Sequence, residues 1–240
     1  MTDETPRGTR AIMVAGAGSS AEFIARAFPV VPMLVDEVFA LDAHGGSSHA
    51  VAKSLQEEIL CARALGLRVV VGGVSFGAHA SASHVATCPP QERPDGLVCV
   101  MPAWTGNPGV VAAATMLTAR RLRSHGIEGE LAQLEADFPG DWVVSELRAA
   151  WRSQDSRELI AELESVASSS GPTLSSLAAI VVPTVVVGVL DDPLHPIEIA
   201  REWSAAMAGA SLKTLSRNEI AADRGSLGRS AFSALPIASQ

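Results

Sequence analysis

The chain has 240 residues, 48% hydrophobic and 18% charged, enough to bury one sizeable core and too apolar for a disordered polymer. A formal net charge of -8, with no Lys/Arg run beyond the helix face carrying Arg120, Arg121 and Arg123, excludes a nucleic-acid surface and points to small-molecule partners. No stretch reaches the roughly 18 apolar residues of a membrane span, and Cys61, Cys88 and Cys99 lack C-x-x-C spacing, so neither a membrane partner nor a metal site is expected.

In chain order, residues 1–9 are polar, carry Pro6 and Gly8, and read as a short tail. The apolar run 11–15 is too short for a signal-peptide core, so the chain is expected to be soluble, unprocessed and cytoplasmic. Residues 10–15 (RAIMVA) are a buried-strand candidate, and a helix is expected over about 21–28. Between them, Gly16-Ala17-Gly18-Ser19-Ser20-Ala21 spells G-x-G-x-x-A, a dinucleotide-binding pattern when it joins a strand to a helix. Under that reading Asp42, just past a second strand at 37–41, would hold a ribose. Residues 42–48 (DAHGGSS) form a Gly/Ser-rich loop containing His44. An amphipathic helix follows over 51–65, with Val51, Leu55, Ile59 and Ala62 on one stripe, and Gly66 stops it.

A third strand, 67–71, runs into Gly73-Val74-Ser75-Phe76-Gly77 and then at once into a small-residue helix. G-x-S-x-G between strand and helix is what a nucleophile elbow needs, because the turn tolerates almost no flanking side chain while it exposes the hydroxyl. Here the chain resembles the α/β-hydrolase fold family. The resemblance implies a mostly parallel sheet of about six strands with helices on both faces, and no cofactor. It also implies Ser75 as nucleophile and an oxyanion hole from the N–H groups of Phe76 and Ala17. The 42–48 loop is similar to the family's D-x-R-G-x-G-x-S loop, with the Arg missing and the register altered.

After a polar loop holding Pro89, Pro90 and Pro94, residues 96–102 (GLVCVMP) read as another buried strand. The next block is mostly helical in pattern, with helices at 110–125, 128–137, 142–151 and 157–167 and a Ser-rich link at 168–172. It is too long for a simple crossover, so 105–176 is expected to be a helical cap on a core made of 10–104 and 177–240. Trp104, Trp142 and Trp151 are candidates for its pocket lining or for plain core packing. Residues 181–190 (VVPTVVVGVL) are the strongest strand, followed directly by Asp191-Asp192-Pro193-Leu194-His195-Pro196. The resembled family carries its triad acid just past such a strand. Asp192 fits by its D-P-L-x-P run and is favoured; Asp191 has the usual three-residue offset from Gly188; an Asp pair opening a turn before a helix at 196–207 is the plain alternative. A short strand at 211–215 and a helix at 223–235 complete the chain.

A serine hydroxyl needs a base, and the base needs an acid to hold its tautomer. In the resembled family the histidine follows the last strand, yet residues 216–227 (SRNEIAADRGSL) contain none, and Asp223-Arg224-Gly225 resembles the family's turn with Gly225 in the place of the imidazole. Either the base is relocated, with His195 the leading candidate and His44 on the same sheet edge, or catalysis has degenerated. His79 reads as a buried, hydrogen-bonded histidine, and His49, His84 and His125 as surface or packing residues. The expectation is therefore a carboxylesterase-like serine hydrolase for a small ester or other carbonyl compound, with Ser75, Asp192 and His195 at its centre. The alternatives are a degenerate hydrolase fold that binds or rearranges a carbonyl ligand and, further off, a dinucleotide-binding protein; a homo-oligomer is compatible with all three.

Overall fold

The computed structural model describes residues 8–236, and residues 1–7 of the expected tail lie outside them. Six strands form one all-parallel sheet in the order β2-β1-β3-β4-β5-β6: β1 (Thr9–Val14), β2 (Glu37–Leu41), β3 (Arg68–Val74), β4 (Gly96–Val100), β5 (Thr184–Val189) and β6 (Ser211–Leu215). The four central strands are buried almost end to end, as near-continuous Val/Ile/Met runs require when helices cover both faces, whereas β2 and β6 are half-exposed edges. β1 starts at Thr9, inside the expected tail, because Asp36 accepts the Thr9 N–H at 2.8 Å and the Gly8 carbonyl accepts from Arg68 at 2.9 Å. β5 begins at Thr184 rather than 181, since Pro183 offers no N–H to the ladder and Val181 is exposed.

Helices α2 (Ser48–Ala64), α3 (Phe76–Thr87) and α8 (Ile197–Ala206) cover one face, and α1 (Ala21–Ala27) and α10 (Ser226–Ala234) the other. Sequence order reverses around β1, with β2 on one side and β3 on the other, so the β1 and β3 C-terminal ends flank the crevice where open α/β sheets place their chemistry. Both glycine-containing turns, 16–20 and 73–77, lie there.

Between β4 and β5 the chain makes α4 (Val110–Asp137), α5 (Trp142–Trp151), α6 (Ser156–Ala167) and α7 (Leu174–Ala178). α4 is one element bent at Gly126 (φ 69°), where the sequence pattern reads as two helices. α4, α5 and α6 share their own apolar cluster around Leu122, Leu131, Trp151, Leu159 and Leu163. At the neck, the Gly106 N–H donates to Pro172 at 3.0 Å and the Gly171 N–H to Gly106 at 2.7 Å, tying the two ends of the insertion together.

The end of the chain departs from the sequence pattern. Between β6 and the helix expected at 223–235, which is α10 and starts at Ser226, the chain forms a further helix, α9 (Arg217–Ala222), opened by a capping box in which Ser216 and Glu219 satisfy each other's backbone N–H.

Candidate active site

The β3–α3 turn is a steric construction. Ser75 has φ 53° and ψ −115°, a region that costs a non-glycine residue about 1–3 kcal/mol. The surroundings enforce it: the Ser75 N–H donates to Val100 at 2.9 Å, and its carbonyl accepts from Ala78 at 3.0 Å and His79 at 3.1 Å. Gly77 packs against β1 so closely that a Cβ would overlap the Val14 carbonyl, and one on Gly73 would meet both Val14 and Gly77. Backbone thus meets backbone on both sides of the bend, and the half-buried Ser75 has its hydroxyl directed at the β5–α8 turn.

The β5–α8 turn is built from charge and hydrogen bonds. One Asp192 oxygen, Oδ1, accepts the N–H groups of Leu194 and His195, both at 2.9 Å, in an Asx-type turn that folds the chain back on the carboxylate. The same oxygen accepts from His195 Nδ1 at 3.0 Å. With Nδ1 against an acceptor-only carboxylate, the neutral ring carries its proton there, and Nε2 is left as an acceptor. The Ser75 hydroxyl donates to that Nε2 at 3.0 Å. The other Asp192 oxygen accepts from Arg217 at 2.6 Å. Burial works to raise the Asp192 carboxyl, but the His195 contact, the Leu194 N–H and Arg217 outweigh it and hold it down at about 2.

Of the two candidate aspartates, then, it is Asp192 whose carboxylate meets the imidazole. Asp191 is exposed and accepts the Arg217 backbone N–H at 2.7 Å. His79 lies beneath the elbow, 3% exposed, between Trp104 and Trp203, with Nε2 accepting from the Ala103 N–H at 3.0 Å. Burial, helped by His195, pushes its imidazole down to about 3, so it stays neutral. His84 is also buried, whereas His49 is exposed. His44 opens a short 3-10 turn, and its side chain lies outside the described residues.

Gly16 runs alongside the elbow, with a Cβ there reaching to 3.4 Å from Ser75 Cβ. Phe76 is the first residue of α3, so its N–H has no partner four residues back in the helix. In the first loop, the Ser19 N–H goes to Gly16 at 3.0 Å and the Gly18 N–H to the Glu162 carboxylate at 2.7 Å, with no such acceptor for the Ala17 N–H among the described residues. That geometry does not support a dinucleotide turn: Glu162 occupies the N–H a pyrophosphate would use, and Trp151 packs on Gly18 while donating its Nε1–H to the Gly18 carbonyl at 3.0 Å. Asp42, the expected ribose ligand, instead accepts the Ala21 N–H at 3.1 Å.

The three candidate tryptophans are buried, Trp151 in the cluster of α4, α5 and α6, Trp104 and Trp142 in the clusters on the two faces of the sheet. Trp151 anchors the first loop, Trp142 stacks on Phe23 with Arg224 4.7 Å from its ring centre, and Trp104 packs on His79. Trp104 also borders a surface groove of about 600 Å³, with Asn107, Leu174, Ile199 and Glu202; it includes none of Ser75, Asp192 and His195. Sequence reasoning missed Arg217, which reaches the β5–α8 turn, Glu162, which reaches the first loop, and Asp141, which pairs with Arg217. The S-x-x-E capping signature at 216–219 marks a helix start there and would have put Arg217 in its first turn.

Among the described residues no three or more of His, Cys, Asp and Glu gather in a group that could hold a metal ion. No helix among them is long and apolar enough to cross a membrane.

No protein-family model matches the chain, and no curated protein matches it. Solved structures do. The enol-lactonase from Burkholderia xenovorans LB400 is 17% identical with a TM-score of 0.63, over 90% of this chain and 85% of that one. A thermophilic esterase from Thermogutta terrifontis is 17% identical with a TM-score of 0.62, over 89% and 83%. A carboxylesterase structure from the ammonia-oxidizing thaumarchaeon Nitrososphaera gargenis is 12% identical with a TM-score of 0.69, over 88% and 82%. At such identities the likeness establishes the architecture: this chain has the α/β-hydrolase fold.

Proposed function

We propose that this α/β-hydrolase-fold enzyme is a serine hydrolase of the carboxylesterase type, acting on a small ester or another carbonyl compound. The observation that carries the reading is the continuous relay from the Ser75 hydroxyl to His195 Nε2 and from His195 Nδ1 to Asp192, each step 3.0 Å. The hydrolases among the structural neighbours, an enol-lactonase and esterases, favour the same reaction class.

In the proposed reaction Ser75 Oγ adds to the substrate carbonyl carbon while His195 Nε2 takes the hydroxyl proton. The Phe76 and Ala17 N–H groups hold the oxygen that becomes negative, and Asp192 steadies the imidazolium. Collapse expels the alcohol, which receives the proton from His195, and leaves an acyl group on Ser75. A water molecule, deprotonated by His195, then adds to the acyl carbon, and as the bond to Ser75 breaks His195 returns the proton to Ser75 Oγ and the acid is released. The helical insertion at 105–176 acts as the cap over this centre. No cofactor enters the scheme.

The degenerate alternative rests on the lack of histidine in 216–227; His195, brought to Ser75 from the neighbouring turn, supplies an imidazole without that segment. A fluorophosphonate probe tests the proposal: one equivalent should attach at Ser75, read by peptide mass spectrometry, and Ser75→Ala should take up none. An unlabelled wild-type protein beside a reactive control hydrolase would refute it.

A further inference from the structure

Arg217 stands at the first position of α9, in the segment where the fold's chain order calls for a histidine. Its guanidinium is used on two sides. One nitrogen donates to the outer oxygen of Asp192 at 2.6 Å, and the other pairs with Asp141. Asp141 is the N-cap of α5, where its other oxygen accepts the Val143 N–H at 2.8 Å. The Arg217 backbone N–H is held by Asp191, and its guanidinium lies 5.9 Å from the ring centre of Trp142, the next residue of the insertion. One cation therefore joins the carboxylate that meets His195 to the first turn of an insertion helix. Arg26 and Arg224 pin the same helix further along through Glu146.

From this we infer that Arg217 is a positioning residue that makes the orientation of the Asp192–His195 pair depend on the seating of the insertion. The inference rests on the hydrolase reading. The inner Asp192 oxygen carries three hydrogen bonds, two to backbone and one to the imidazole, but these leave the carboxylate free to twist about that oxygen. Arg217 removes the freedom by fixing the second oxygen. Its planar fork matches two separate carboxylates at once, which a lysine ammonium cannot reproduce. Without it, Asp141 and Asp192 would lose the cation they share, and α5 would lose its tie to the acid. When α5 is seated, Asp141 holds the guanidinium and the guanidinium holds Asp192; when α5 lifts, the acid loses its outer restraint. The segment after the last strand thus serves the acid from behind while the base arrives from the turn after β5.

The test compares wild type, Arg217→Gln, Arg217→Lys and Asp141→Asn by kcat and KM on p-nitrophenyl acetate, by the rate of fluorophosphonate labelling, and by the downfield proton NMR signal of His195 Nδ1–H. Arg217→Gln should lower kcat by about 10²-fold, the scale of a displaced catalytic group, with KM nearly unchanged, labelling slowed in step and the downfield signal lost. Arg217→Lys should recover part of each, and Asp141→Asn should show a smaller loss of the same kind. Wild-type kcat and an unshifted signal in folded Arg217→Gln would overturn the inference, as would a fall confined to KM. Should Arg217→Gln not fold, a wild-type signal and kcat in both Asp141→Asn and Arg217→Lys would overturn it. A wild-type protein inert to ester and probe would instead refute the hydrolase reading, and the NMR signal would still decide whether Arg217 orders the pair.

Discussion

The two turns that meet at Ser75 and His195 are held by different physics. The elbow between β3 and α3 is fixed by exclusion: glycines at 73 and 77 let backbone touch backbone, and the strained Ser75 has nowhere to relax. The turn between β5 and α8 is fixed by attraction, with one carboxylate gathering two N–H groups, an imidazole and a guanidinium. The backbone contacts at the elbow carry no charge to titrate or to screen, whereas a charge cluster responds to both pH and salt. Added salt, which screens the charge cluster, should therefore loosen the turn that carries His195 before it disturbs Ser75.

The largest effect expected on the elbow side comes from Gly77→Ala. A methyl group there overlaps the Val14 carbonyl, and since the obstacle is backbone of a central strand it cannot rotate away. We expect a loss of about 3 kcal/mol, at the upper end for overpacking, measured by urea unfolding; an unchanged midpoint would mean that the turn is looser than the contacts require.

Acid should separate the two regions next. His79, one turn past Ser75, has its imidazole lowered from 6.5 to about 3 by burial and by His195. The unfolded chain takes up this proton below about 6.5 and the native protein does not. Its stabilising contribution is therefore complete above that pH and falls by up to about 1.4 kcal/mol per pH unit as pH drops toward 3. His79→Gln should flatten the pH dependence in that window. Asp192 acts lower. Its carboxyl lies at about 2 against an ordinary 3.8, so its contribution, about 2 kcal/mol, is complete above pH 4 and disappears as pH falls to 2. Asp192→Asn should remove that segment of the acid-unfolding curve and leave the His79 segment in place.

The smallest change sharpens the meaning of strain. Ser75→Gly should raise stability by about 1 kcal/mol, because glycine reaches φ 53° without the penalty a side chain incurs. An equal gain from Ser75→Ala, which keeps a Cβ, would show that the hydroxyl rather than the backbone is responsible.

The same division explains what could be read in the sequence. The elbow was legible because sterics leave local marks: Val-rich strand, glycine spacing and a small-residue helix are consecutive from 68 to 83. The sheet was legible for the same reason, each buried strand being a continuous apolar run. His195 could be named as a base only because it stands three residues from Asp192 in one turn, and the choice between Asp191 and Asp192 needed the direction of each side chain. Arg217, Asp141 and Glu162 left no local mark of their role, since each acts across 25 to 144 residues of sequence. Charges can pair from any two surfaces the fold brings together, and no periodicity records the choice.

The most direct measurement of the central claim, that His195 serves Ser75, is the second-order rate constant for fluorophosphonate labelling of Ser75 in the wild type and in His195→Ala. A fall of about 10³-fold or more, with the thermal midpoint close to that of the wild type, is the predicted result. Equal rates in the two proteins would contradict the account.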